Sequence, residues 1–317
     1  MRFLRYIDES KYRTTPGDFQ YADWLSFEPM ETCRDGYWTC RDPKILAWWA
    51  YLGGCYWRMD ALKMAEMAEA TQRAADASWC RDSAERAMAY LRSMLVDGRL
   101  PAGFRSLQSA NLFALHLGVF TDEGRASEAK RILLDTIAAR KNCLATGFLG
   151  TSILMDTLTE LGEVETAYSI LLNHGFPSWL YEVDQGATTV WERWNSYTKK
   201  DGFGPVDMNS FNHYAYGSVL GWLFSAAAGI QADPKRPGWR HFVLHPHPDR
   251  RLGSLKATLG SPKGRILSAW SYDVDGTLRW KFTIPEGTTA TVVRPDGVTR
   301  EYAGGTYEHS FGRLDKR

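Results

Sequence analysis

The periodicity of the apolar residues changes once along the chain, at the segment 233-DPKRPGW-239. Beyond this segment apolar and polar residues alternate with period two, most clearly from Leu278 to Ile284, as in a strand with one buried face. Before it, apolar residues recur every three or four positions, as in amphipathic helices. The two patterns predict a mainly α chain in which a helical domain, residues 1–232, precedes a small antiparallel β-sandwich, residues 233–317.

The helical region contains about eight periodic segments, joined by short turns that often contain glycine. A long segment follows Pro43, and Asp122 is placed to cap another helix. Gly53 and Gly54 lie inside the long segment and cost roughly 2 kcal/mol of helix propensity, so we expect close packing against a neighbouring helix there. A last long helix is expected over residues 209–230. Helical hairpins packed in a ring or bundle fit this pattern.

The C-terminal region carries two strong turn signals, Asp275-Gly276 and Asp296-Gly297. Strands are expected on both sides of each turn, because runs rich in β-branched and aromatic residues flank them. The predicted strands include residues 241–244, 255–259, 265–272 and 289–294.

Charge and cysteine content exclude several functional classes. Lys and Arg total 38 against 37 Asp and Glu, which leaves a net charge of +1. A polyanion-binding surface normally needs a basic excess, so no nucleic-acid partner is expected. The first residues lack a signal-peptide pattern, and no apolar run approaches the ~20 residues of a membrane span, which predicts a cytoplasmic protein. Five cysteines without CxxC spacing predict buried thiols, and we expect neither a metal nor a cofactor.

Tryptophan is abundant, with 13 residues, and it is concentrated around one carboxylate. Trp191, Glu192, Arg193 and Trp194 are consecutive within 184-DQGATTVWERWNSY-197. A glycosidase needs flat apolar faces for a sugar ring and carboxylates for acid and base catalysis, and this segment offers both. The alternative is a glutamate that is paired for structural reasons at the edge of the core.

A second polar cluster, 207-DMNSFNHYAYG-217, places His213 near the start of the last predicted helix. His213 either faces the opening of a pocket or is a structural histidine whose ring nitrogens are hydrogen-bonded within the fold. His245 and His247 in 244-LHPHPDR-250 resemble paired metal ligands. Their position between strands and two prolines favours a surface turn instead.

A third cluster, 21-YADWLSFEPMETC-33, mixes carboxylates with aromatic residues. Asp23, Trp24, Glu28 and Glu31 all lie within it. The cluster is either part of a binding site or a capped, solvated loop.

Several long motifs resemble bacterial α-L-rhamnosidases of glycoside hydrolase family 78. The resemblance is carried by 185-QGATTVWERWNSY-197 and 208-MNSFNHYAYGSVLGWLF-224, and also by 146-TGFLGT-151, 177-PSWLYEVDQGATT-189 and the ADWL of residues 22–25. The segments 240-RHFVLHPHP-248 and 285-PEGTTATVVRP-295 look like the C-terminal sandwich of that family. The resemblance implies an (α/α)6-barrel-type catalytic domain followed by a β-sandwich. It further implies hydrolysis of terminal α-L-rhamnosides with inversion at the anomeric carbon.

The same resemblance implies roles for individual residues. Glu192 matches the general base that activates water, and His213 matches a histidine that contacts the sugar. Asp23 matches a carboxylate that binds rhamnose hydroxyls. The implied substrate-binding residues are Asp23, Trp24, Trp38, Trp179, Trp191, Arg193, Trp194 and His213.

The sequence also departs from the family pattern. The family's general acid lies upstream of the ADWL segment, in a stretch like Asp-Glu-Arg followed by Gly-Trp, and this sequence has no such stretch. About eight helices also fall short of the twelve in a closed (α/α)6 ring. We therefore expect a barrel that lacks its N-terminal helices, weak activity of the chain alone, and association with a second copy or with the missing barrel segment.

Three alternatives remain open at this level. A related α/α-barrel hydrolase could act on another sugar, or the chain could be an inactive carbohydrate-binding fragment. Glu28 or Glu31 could also replace the missing proton donor, because burial among aromatic residues raises the pKa of a carboxyl group.

Overall fold

The computed structural model describes residues 21–28, 42–206 and 208–312. Trp38 and Glu31, both singled out above, lie outside these ranges. The described residues form two compact units. The first contains the residues up to Thr157 together with Gly175–Ser178, and the second contains Leu158–His174 and the residues from Trp179 onward. The domain boundary expected between residues 232 and 233 remains a prediction.

The first unit is helical. It contains α1 (Pro43–Ala70), α2 (Ala74–Ser93), α3 (Gln108–His116) and α4 (Glu123–Ala139), and α5 (Phe148–Glu160) begins in it. The Asp42 side chain caps α1 by accepting the N–H of Lys44. The Asp122 carboxylate accepts the N–H of Arg125 at 2.9 Å, which confirms the predicted cap of α4.

Helices α1 and α2 pack closely at one of the two glycines that the sequence placed in α1. A Cβ on Gly54 would lie 2.9 Å from a side-chain carbon of Leu91, whereas a Cβ on Gly53 would meet nothing within 4 Å. The Trp57 indole N–H also crosses between the two helices and donates to the Ser83 hydroxyl at 2.9 Å. The predicted close packing is therefore confirmed for Gly54.

The second unit begins with short helices. It contains α6 (Val164–Leu171), α7 (Trp179–Gln185), a 3-10 turn (Ala215–Ser218), α8 (Val219–Trp222) and a π turn (Leu223–Ala227). The single helix predicted over residues 209–230 is therefore wrong, because the N–H groups of Ser210 and His213 bond to residues 190–192 instead of a helical turn. Within the described ranges, no helix combines the length and the apolarity needed to cross a membrane.

The second unit also contains a two-stranded hairpin and a six-stranded sheet. A small hairpin of β1 (Tyr197–Thr198) and β2 (Gly202–Phe203) precedes it. The main sheet comprises β3 (Ile230–Ala232), β4 (His241–Leu244), β5 (Ser254–Ser261), β6 (Gly264–Tyr272), β7 (Leu278–Val293) and β8 (Thr299–Phe311). Its order is β3-β4-β7-β6-β5, and β8 pairs with β7. The first half of β7 lies between β6 and β8, and its second half lies between β4 and β8.

The core of the sheet follows the predicted alternation. Leu278, Trp280, Phe282 and Ile284 are all buried on one face of β7. The helical region and the following sheet confirm the predicted fold class. One pairing differs from the expected antiparallel pattern, because β4 and β7 run parallel. Period two alone does not give strand direction, which depends on the connections between strands.

Candidate functional site

A short backbone ladder holds Glu192 in place within the second unit. The Glu192 N–H donates to the Ser210 carbonyl at 2.9 Å, and the Ser210 N–H donates back to Glu192 Oε2 at 2.9 Å. Three residues along, the His213 N–H donates to the Val190 carbonyl at 2.9 Å. Within the described structure Glu192 Oε1 accepts no hydrogen bond, and the side chain is half-buried. The carboxylate is therefore held by one oxygen, and the other remains available.

The two tryptophans next to Glu192 face the interior. Trp191 and Trp194 are only 4% and 1% exposed. Trp194 stacks on Tyr216 with ring centroids 4.0 Å apart and meets Trp179 edge-on at 5.7 Å, while Trp191 meets Phe211 edge-on at 5.4 Å. The sequence predicted that both rings would line a sugar pocket. Both rings are packed against other aromatic side chains, and their role in substrate binding remains a prediction.

Trp179, Arg193 and His213 are more accessible. Trp179 is half-buried, and its indole N–H donates to the Tyr216 carbonyl at 2.9 Å. Arg193 is also half-buried, and its guanidinium forms no ion pair within the described structure. The His213 ring is half-buried and stacks parallel to the exposed Tyr214 ring at 5.6 Å. Of the predicted residues, Glu192, Arg193 and His213 are thus brought together by the ladder and its immediate neighbours.

Glu182, which the sequence reasoning missed, lies beneath this site. It is 4% exposed, and its carboxyl group accepts the N–H of Trp191, the residue before Glu192. Burial raises the pKa of Glu182 to about 8, although the Trp191 N–H acts in the opposite direction. Among the described residues, Glu182 Oε1 has no hydrogen-bond partner. The spacing of Trp179 and Glu182 on α7, three residues apart, was the available signal, because it places both on one helix face.

The first unit holds a different set of carboxylates. Asp23 is fully buried, and its two oxygens accept hydrogen bonds from the Ser109 hydroxyl at 2.6 Å, the Gly147 N–H at 2.8 Å and the Gly150 N–H at 2.9 Å. The two glycines lie at the start of α5, where a Cβ on Gly147 would overlap the Asp23 carbonyl oxygen. The carboxylate is 0% exposed and caps α5. The contact of Asp23 with rhamnose hydroxyls remains a prediction.

Glu28 caps a different helix, α3. Its carboxylate accepts the N–H groups of Gln108 and Ser109 at the start of α3. Burial, reinforced by the nearby Asp23, raises the pKa of Glu28 to about 8. The expected rise in pKa is present, but the side chain is buried and bound to a helix end. Glu28 is therefore a structural cap in this conformation, and its suggested role as a replacement proton donor is not supported.

Trp24 lies on the same segment as these two carboxylates. Its ring is half-buried and meets Tyr21 edge-on at 5.4 Å, and its carbonyl accepts the N–H of Phe148 at 3.0 Å. A role for Trp24 in substrate binding remains a prediction, as does that of Trp38 outside the described ranges.

The histidine pair of the second unit lies in the loop over residues 245–251. The His245 and His247 ring centroids are 4.5 Å apart. No group of three or more His, Cys, Asp or Glu side chains within the described ranges is arranged to hold a metal ion.

Comparison with known proteins gives consistent matches along the chain. Residues 1–227 match the model of the bacterial alpha-L-rhamnosidase 6 hairpin glycosidase domain, and residues 229–308 match that of the bacterial alpha-L-rhamnosidase C-terminal domain. An alpha-L-rhamnosidase of Streptomyces avermitilis is 35% identical over 296 residues, which cover 92% of this chain and 26% of the relative. An alpha-L-rhamnosidase of Formosa agariphila is 39% identical over 209 residues, which cover 66% of this chain and 22% of the relative.

Solved structures give the same picture. The crystal structure of the Streptomyces avermitilis alpha-L-rhamnosidase complexed with L-rhamnose matches with a TM-score of 0.79 and 31% identity. The match covers 98% of this chain and 30% of that chain. The chain spans about a quarter of the length of the curated relatives that it matches.

Proposed function

The chain belongs to the bacterial α-L-rhamnosidases with a six-hairpin glycosidase domain, and we propose that it contributes to the hydrolysis of terminal α-L-rhamnosides with Glu192 as the general base. The observation that supports this proposal is the reciprocal hydrogen bonding between Glu192 and Ser210. A general base needs a fixed direction and one free lone pair, and this arrangement leaves Glu192 Oε1 for a water molecule.

The proposed reaction proceeds with inversion. A water molecule bound to Glu192 transfers its proton to the carboxylate while its oxygen bonds to the anomeric carbon, and the bond to the leaving oxygen breaks on the opposite face. A carboxylic acid about 6.5–9.5 Å from the base must protonate the leaving oxygen. Arg193 and His213 are the proposed contacts to the sugar hydroxyls.

We assign no proton donor among the described residues. Glu28 and Asp23 cap helices, and the Asp-Glu-Arg and Gly-Trp stretch expected for the family's acid has no counterpart in the sequence. We therefore propose that the 317-residue chain turns over rhamnosides slowly when it is alone. Association with a second copy or with a polypeptide that carries the acid would raise the rate.

The direct test follows the hydrolysis of an aryl α-L-rhamnoside by proton NMR. Inversion predicts that β-L-rhamnose forms first and then equilibrates with the α anomer. Glu192→Gln should lower the rate by about 100- to 10,000-fold, because the amide cannot accept a proton. The exposed Glu301 on β8 supplies a matched control, and Glu301→Gln should leave the rate unchanged.

A second experiment tests the role of Glu192 separately from sugar binding. Glu192→Gly should recover part of the rate when azide is added, and the product should be the β-rhamnosyl azide. Initial formation of the α anomer, or full activity in Glu192→Gln, would contradict the proposal.

Two further measurements separate the alternatives. A panel of aryl glycosides, including arabinoside, fucoside and glucoside, tests whether another sugar is preferred. Calorimetric titration with L-rhamnose tests for a formed pocket. Binding of L-rhamnose without any turnover would favour the carbohydrate-binding alternative.

A further inference from the structure

A cleft of about 600 Å³ opens in the second unit, and none of its lining residues belongs to the Glu192 site. Its walls come from the start of α6, from the loop over residues 245–251, from Tyr272 at the end of β6 and from the turn over residues 293–297. This volume lies in the range of small-molecule sites, which is about 300–1,000 Å³.

The loop that forms one wall is held rigidly from below. The His245 N–H donates to the Gly229 carbonyl at 2.8 Å, and the His247 N–H donates to the Ala226 carbonyl at 3.0 Å. The Tyr168 hydroxyl donates to the His247 carbonyl at 2.7 Å. Gly229 has a φ of +76°, and a Cβ there would overlap Pro246, so only glycine allows this close approach. The imidazoles are therefore presented on a fixed backbone.

The two imidazoles have unused hydrogen-bonding capacity. Neither the His245 ring nor the His247 ring makes a hydrogen bond within the described structure, and both are half-buried. Burial lowers the pKa of both rings, and that of His247 falls to about 4, with the neighbouring His245 as a second cause. Both rings are neutral near pH 7, so each offers one donor and one acceptor.

The charges around the cleft nearly cancel. Arg251 is bound to Asp249 at 2.6 Å, and Arg294 is bound to Asp296 at 2.5 Å. Arg250 differs, because its guanidinium lies over the Tyr272 ring at 4.9 Å and donates to the Gly276 carbonyl at 2.9 Å without an ion pair in the described structure. The lining thus disfavours a multiply charged anion and keeps spare N–H donors on Arg250.

We propose that this cleft is a second saccharide site, which binds a short neutral oligosaccharide apart from the Glu192 site. Sugar hydroxyls both donate and accept hydrogen bonds, which matches two neutral imidazoles next to a guanidinium with spare N–H groups. Tyr272, Pro248 and Pro295 add apolar surface for the C–H faces of the rings. The site would hold part of a glycan chain and does no chemistry itself.

Titration of the full chain by NMR, with its histidines labelled with ¹⁵N, tests the proposal. Three sugars serve as probes: L-rhamnose, cellobiose, and rutinose, a disaccharide that contains rhamnose. Inorganic phosphate tests whether the cleft prefers an anion. Saturable shifts of the His245 and His247 ring signals are expected with at least one sugar and not with phosphate. His245→Ala and Arg250→Ala should each weaken that binding by about tenfold, the effect of losing one or two hydrogen bonds.

The controls keep this proposal separate from the catalytic one. Glu192→Gln should lower rhamnoside turnover by about 100- to 10,000-fold and leave sugar binding in the cleft unchanged, so the two proposals fail independently. Arg300→Ala removes an exposed arginine of β8 and should bind sugar like the unchanged chain. Far-ultraviolet circular dichroism checks that each variant is folded. Absence of saturable shifts up to the solubility limit of every sugar would overturn the proposal, as would unchanged binding in folded His245→Ala and Arg250→Ala, or stronger binding of phosphate.

Discussion

Replacing Glu182 with glutamine should change how the stability of the protein depends on pH. The carboxyl group is 4% exposed, and burial raises its pKa from an ordinary value of 4.5 to about 8. Glutamine has nearly the same shape and can still accept the Trp191 N–H, but it carries no charge at any pH. The substitution therefore removes one titration and leaves the packing of α7 in place.

The sign follows from proton binding in the two states. Between pH 4.5 and 8 the unfolded chain has lost the Glu182 proton and the folded chain retains it, so the free energy of unfolding falls as the pH rises. Each pH unit is worth about 1.4 kcal/mol, which gives a ceiling of about 5 kcal/mol over this interval. Glu182→Gln lacks this loss, so its stability relative to the unchanged chain should increase from pH 5 to pH 8 by at least about 1 kcal/mol.

Urea unfolding, followed by near-ultraviolet circular dichroism at pH 5, 6, 7 and 8, measures this difference directly. The titration of Glu28 occurs in both proteins, so it cancels when the free energy of unfolding of the unchanged chain is subtracted from that of the variant. Glu160→Gln, at an exposed position of α5, is the matched control and should give a difference that is flat with pH. A flat difference for Glu182→Gln as well would refute the reasoning, because the buried carboxyl would then titrate alike in both states.

Further predictions concern packing, hydrogen bonding and association. Gly54→Ala should lower the free energy of unfolding by about 1–3 kcal/mol through overpacking, whereas Gly53→Ala should raise it by up to about 1 kcal/mol, and thermal melts compare the two. Ser109→Ala should lower the free energy of unfolding by about 1–3 kcal/mol, because it removes a hydrogen bond from a buried carboxylate. Ser127→Ala, at an exposed position of α4, should change it little, and urea midpoints measure both. Phe203, 75% exposed, should promote self-association, so Phe203→Ser should lower the dimer fraction in sedimentation velocity, and an unchanged fraction would contradict this.

The sheet could be predicted well because its signals are local. Alternation along β7 gives the buried face, and Asp275-Gly276 gives the turn, with Gly276 at a φ of +84°. The parallel pairing of β4 with β7 could not be predicted in the same way, because strand direction depends on which distant segment lies alongside.

The candidate site was predicted in part. The motif around Glu192 was identified, but local sequence does not tell how deeply a tryptophan is buried. Trp191 and Trp194 are 4% and 1% exposed, and their contact with substrate stays a prediction. The helix predicted over residues 209–230 failed for a related reason, since the partners of the Ser210 and His213 N–H groups lie about twenty residues upstream. Glu182 was missed because a lone glutamate on a short helix looks like a solvated residue.

The segment over residues 21–28 supplies the caps for the starts of two helices. Asp23 binds the first turn of α5, and Glu28 binds the first turn of α3, five positions further along the same strand of backbone. A single protease cut between these carboxylates would place the two caps on separate chain segments. The first turn of each helix could then open without the other. We expect hydrogen exchange at the N–H groups of Gly150 and Ser109 to change together in the intact chain and independently after the cut.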